Sequence, residues 1–165
     1  MIFLQRIKWF VILLLFQVLV LNHVHIYQYA TPLLYIYFIL KLNSQVNRKV
    51  IMGWAFALGL SIDIFSNTPG LNAAAATFLA FVRPPLLFAQ TQRDPTENFE
   101  PGIAVMGFSS FFWYALVCTL LFSVVLNLLD AFSFFNLKTL LIKIGTDTLV
   151  TLVCILCLDA MRRKK

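Results

Sequence analysis

The chain has 165 residues, 61% of them hydrophobic and 12% charged, with a net charge of +6 and a mean hydropathy of +0.86. Soluble domains are roughly 25% charged and disordered chains are poor in apolar residues, so both classes are excluded; three cysteines are too few for a disulfide scaffold and leave one unpaired. A polytopic membrane protein remains, and at about 20 residues per helix six spans would leave about 45 residues for tails and loops, too few for a soluble catalytic domain.

The first uncharged stretch runs from Trp9 to Leu40, 32 positions between Lys8 and Lys41. One helix of that length would measure about 48 Å, well beyond a hydrocarbon core of about 30 Å. Its middle, Asn22-His23-Val24-His25-Ile26-Tyr27-Gln28-Tyr29-Ala30-Thr31-Pro32, combines polar residues, interfacial tyrosines and a proline. Such a segment marks a turn near the headgroups, between helices at roughly 7–24 and 31–43. Val50 to Val82 repeats the pattern around a single charge, Asp63, and breaks at Ser66-Asn67-Thr68-Pro69-Gly70. This gives helices at roughly 49–65 and 71–89, the second interrupted by Pro84-Pro85. Thr91 to Glu100 is the main polar loop. A fifth span is expected at roughly 102–128 and a sixth at roughly 134–158, before the basic Arg162-Arg163-Lys164-Lys165. The expected fold class is all-α and polytopic, six transmembrane helices in one integral-membrane domain over residues 1–165.

Charge placement supports this layout. With six spans, 11 of the 13 basic residues fall on one side, leaving only Lys138 and Lys143 near the other. The positive-inside rule then puts both termini in the cytoplasm. Anionic lipid at those flanks accounts for the net positive charge without nucleic acid. Arg6 and Lys8 precede an apolar run as in a signal peptide, but no small-residue cleavage site follows, so a retained first helix is expected.

Few residues offer chemistry. Asp63 in an apolar helix costs about 2.5–3.5 kcal/mol at the bilayer centre, less near an end, and is expected to be a buried polar anchor for the following turn or a partner. Gly59, Ser61 and Asn72 nearby point to close, polar packing. Lys143 and Asp147 are spaced i,i+4 in the sixth span, the spacing of an intramembrane ion pair. Cys154 and Cys157 form C-x-x-C inside an apolar helix, where packing is the expected role. His23 and His25 lack the further ligands a metal would need, so no metal or other cofactor is expected. The run Ala73-Ala74-Ala75-Ala76 suits close helix packing. Phosphate-binding loops, metalloprotease and nucleophile-elbow motifs and nucleic-acid motifs are absent, so no enzyme is expected.

The run Gly59-Leu60-Ser61-Ile62-Asp63-Ile64-Phe65-Ser66-Asn67-Thr68-Pro69-Gly70-Leu71-Asn72 resembles the signature of the rod shape-determining protein MreD family, in which a G-L-x-x-D helix end leads through a turn into a small-residue helix. Phe78-Leu79-Ala80-Phe81-Val82-Arg83-Pro84 is also similar, above all to Bacteroidetes-type members. The resemblance implies a component of the bacterial inner-membrane cell-elongation machinery. Its partners would be the bitopic protein MreC and, through it, the MreB filament, RodA and the class B penicillin-binding transpeptidase. It also implies a fold similar to the S-components of energy-coupling-factor transporters. No catalytic residue carries over; Gly59, Asp63, Pro69, Gly70 and Asn72 carry over as structural motif positions.

Three roles follow, in order of expectation. A membrane scaffold needs no deep polar cavity. A small-molecule-binding transporter subunit needs one, recruiting Asn22, Asp63, Asn127 and Asp130 near the outer face. An integral-membrane enzyme would need paired acid–base or metal-ligating groups at one depth, which the sequence does not offer.

Overall fold

A computed structural model describes residues 2–19, 33–91, 98–130 and 137–162. Among these the chain is helical without strands: α1 (Ile2–Leu19), α2 (Ile36–Lys41), α3 (Arg48–Ser66), α4 (Leu71–Gln90), α5 (Ile103–Met106), α6 (Phe108–Asp130) and α7 (Leu137–Arg162). In α3, α4, α6 and α7 the chain is long and apolar enough to cross a membrane. These four helices mark a membrane-embedded protein. The turn at Asn22–Pro32, with His23 and His25, lies outside the described residues.

The expected second span is the clearest difference. Within 31–43 the described helix, α2, has six residues and a length of about 9 Å, too short to cross. Tyr35 to Leu40 are nevertheless all buried. α2 is therefore a central peg, packed on by α1, α3, α4 and α6, with no lipid-facing side. Phe10 of α1, Phe38 of α2 and Trp54 of α3 meet edge to face at 5.6–6.0 Å and hold the peg from one side.

The fifth span is also divided. Gly107, at φ 82°, separates the single turn of α5 from α6, a backbone angle open to glycine and costly for other residues. By contrast α4 continues through Pro84 and Pro85 to Gln90, although each ring removes an N–H donor from the helix ladder.

α3 and α4 form the tightest hairpin. Asn67 ends α3 in the left-handed region at φ 53°, and Gly70, at φ 78°, opens α4. Ala73, Ala75 and Ala76 are buried, so the small-residue run packs inside this chain. Gly59 explains the close approach: a β-carbon there would lie 2.6 Å from the Ala73 Cα and 2.6 Å from the Asn72 carbonyl oxygen. Both are backbone atoms that cannot rotate away. Gly59→Ala is therefore expected to force α3 and α4 apart and to cost about 1–3 kcal/mol, seen as a lower Tm in detergent. Gly53→Ala, in the interior of α3 with open space around its α-carbon, is the matched control and should raise Tm slightly, not lower it.

Candidate functional site

Inside a bilayer, every broken helix end exposes backbone groups that no water can satisfy. This chain has several such ends, and its buried polar side chains go to them. Gly70 has no side chain with which to cap α4, so the cap comes from α3. The Asp63 carboxylate accepts from the backbone N–H of Asn72 at 3.0 Å and of Ala73 at 2.8 Å, from the Asn72 amide at 2.9 Å and from the Thr68 hydroxyl. A negative charge at a helix N-terminus also meets the positive end of the helix dipole. Asp63 is 3% exposed, and Tyr35 donates to the Asn72 amide oxygen at 2.7 Å, tying the corner to the central peg.

The approach to α2 is served in the same way. The Leu33 N–H donates to the Thr151 hydroxyl of α7 at 3.1 Å, and the Leu34 N–H to the Gln17 side-chain oxygen of α1 at 3.0 Å. Beyond its far end, Arg83 of α4 donates to the carbonyls of Leu40 at 3.2 Å and of Leu42, and through Nε to the Tyr114 hydroxyl at 3.0 Å. Nearby, Lys41 pairs with Asp159 of α7 at 2.6 Å. The same carboxylate takes the Tyr37 hydroxyl at 3.0 Å and the Ile103 N–H, at the start of α5, at 2.7 Å. Gly102 lies directly against this pair. At the periphery of this end, Arg162 pairs with Glu100 at 3.0 Å and stacks 4.9 Å from the Trp9 ring centre.

The end of the bundle that carries Asp63 also holds a cavity of about 180 Å³. Its polar lining includes Gln17, Tyr35, Asn72, Asn127, Lys143 and Asp147. Asp147 is 1% exposed and accepts the Asn127 amide N–H at 3.2 Å. At the rim, Lys143 pairs with Asp130 across the α6–α7 connection at 3.1 Å, both side chains well exposed. The ion pair expected between Lys143 and Asp147 is thus formed with a different carboxylate. An i,i+4 spacing places two side chains on one helix face, but Asp147 points to the buried amide of α6 while Lys143 extends to the exposed edge.

No family model, curated protein or solved structure matches the chain.

Of the motif positions singled out by sequence, Gly59, Asp63 and Asn72 meet at the α3–α4 corner, and Pro69 and Gly70 form the turn above it. Asn127 and Asp130 do line a common cavity; Asp63 reaches it through Asn72, and Asn22 is outside the described residues. Cys154 and Cys157 are free thiols, half-buried and exposed, and no metal-sized group of His, Cys, Asp and Glu occurs among the described residues. Sequence reasoning missed Arg83 and Asp159. The charge count places Arg83 among the cytoplasmic basic residues and does not single out Asp159, yet Arg83 is fully buried and Asp159 is 4% exposed. Lys41, also counted as a lipid-facing flank, has a side chain only 14% exposed. A signal was available for Arg83, which lies about two turns before the Gln90 end of α4, deeper than an interfacial flank.

Proposed function

We propose that this protein is a non-catalytic scaffold subunit of the bacterial cell-elongation complex, in the inner membrane, with both termini cytoplasmic and the Asp63 end facing outward. Its direct partner in this reading is an MreC-like bitopic protein, and through it the MreB filament, RodA and a class B penicillin-binding transpeptidase. The observation that carries the reading is the Asp63 corner. The residues Gly59 to Asn72 of the MreD-like pattern meet in one corner, in which the Asp63 carboxylate is engaged with two backbone N–H groups and two side chains of the same chain. A motif used in this way holds a shape.

The cavity favours a second reading, an S-component-like binding subunit of a small-molecule transporter, because a scaffold alone has no need of it. Affinity purification of the tagged chain from its native membranes separates the two. Recovery of a bitopic coiled-coil protein with cell-wall synthases is the expected result. Recovery of ATPase subunits in their place would overturn the scaffold and favour the transporter.

A further inference from the structure

The cavity at the Asp63 end has a lining with a definite chemical preference. Asn127 is 3% exposed, and its amide nitrogen donates to the Ser123 carbonyl at 2.8 Å and to Asp147 at 3.2 Å. Those two bonds fix which way the amide faces, and its oxygen accepts no hydrogen bond among the described residues. The buried Asp147 carboxylate, which accepts from the amide nitrogen, lines the same cavity, and one turn further along α6 is Asp130. Tyr35, whose hydroxyl proton goes to Asn72, lines the cavity from the peg. The depth of the cavity therefore offers acceptors, and among the described residues of its lining the one ammonium, Lys143, is at the rim.

We infer that this cavity binds a primary ammonium group, which carries a positive charge and three N–H donors and so matches a lining of carboxylates and an amide oxygen. A bare ion does not use the space: about 180 Å³ is several times the volume of a water, about 30 Å³ in the liquid. It is also below the roughly 300–1,000 Å³ of drug-sized pockets, which limits the ligand to a small amine or the head of a larger molecule. Lys143 at the mouth suits an anionic group attached to that amine. A free amine and the ethanolamine phosphate headgroup of a phospholipid share this chemistry.

The inference is separate from the scaffold reading, since a chain with or without a bitopic partner can fill the cavity. The test uses the full chain in nanodiscs of phosphatidylglycerol alone, titrated calorimetrically with ethanolamine, choline and sodium. Saturable ethanolamine binding, at least tenfold tighter than choline and unmatched by sodium, is expected if the ligand is a free amine. In a second arm, nanodiscs containing phosphatidylethanolamine are compared with the phosphatidylglycerol discs. A higher Tm there, with that lipid retained in native mass spectrometry, assigns the ammonium to a headgroup. In whichever arm responds, Asp147→Asn and Asn127→Leu should each weaken the response at least tenfold. Absence of both responses, or equal binding of ethanolamine, choline and sodium, overturns the inference using the unmodified chain alone, so a variant that fails to fold does not decide the outcome.

Discussion

Asp63→Ala is expected to destabilise the protein by about 3 kcal/mol, the scale for stranding buried donors of a charged acceptor. Two backbone N–H groups in the first turn of α4 would lose their acceptor, and the Asn72 amide and Thr68 hydroxyl would lose theirs. No water reaches such groups easily at 3% exposure, and Gly70 cannot supply a replacement cap. Asp63→Asn should recover part of the loss, because one side-chain oxygen remains to accept while the charge facing the helix dipole is gone. Ser61→Ala is a suitable control, as that hydroxyl only bonds back to the Ala57 carbonyl of its own helix. The measurement is the thermal unfolding midpoint in detergent. Equal midpoints for Asp63→Ala and Ser61→Ala would show that the carboxylate does not hold the corner.

Arg83→Met should be at least as damaging. The guanidinium is wholly buried, and its described partners are the Tyr114 hydroxyl and the carbonyls of Leu40 and Leu42, with no carboxylate among them. Methionine nearly fills the volume but strands the Leu42 carbonyl and takes the guanidinium from the Tyr114 oxygen, leaving the Leu40 carbonyl only the Tyr114 hydroxyl at 3.4 Å, a loss of about 3 kcal/mol. Arg83→Lys should restore little, because a single ammonium cannot reproduce the planar fork that reaches both carbonyls and the phenol together. Cys118, buried one turn from Tyr114 on α6, reports the change directly. Its maleimide labelling, resolved from Cys154 and Cys157 by mass spectrometry, should rise sharply in Arg83→Met. Unchanged labelling together with an unchanged midpoint would remove Arg83 from the clamp.

Much of this was legible in the sequence, and the remainder for physical reasons was not. Hydropathy locates α3, α4, α6 and α7, because long apolar helices are what a bilayer requires. The Asn67–Gly70 turn is readable from residues that tolerate positive φ, and Asp63 from the cost of an acid at that depth. Hydropathy cannot separate an apolar segment that faces lipid from one enclosed by other helices. Tyr35 to Leu40 therefore looked like part of a span when they form an enclosed peg. The fates of Arg83, Lys41 and Asp159 depend on carbonyls and amides exposed by helix breaks elsewhere in the chain. Their partners are 31 to 122 residues distant, beyond any local pattern.

The caps have a consequence for biosynthesis. The peg is made early, but Arg83 belongs to α4, and Thr151 and Asp159 belong to α7, which leaves the ribosome after every other described helix. Chains emerge N-terminus first, so the peg's main-chain groups wait for partners that have not yet been synthesised. A nascent chain arrested before α7 would hold the α3–α4 corner complete, because Asp63, Asn72 and Ala73 are all present, while Leu33 lacked its hydroxyl partner and Lys41 its carboxylate. Assembly thus runs against the order of translation: the corner closes first, and the peg is secured only when α7 inserts.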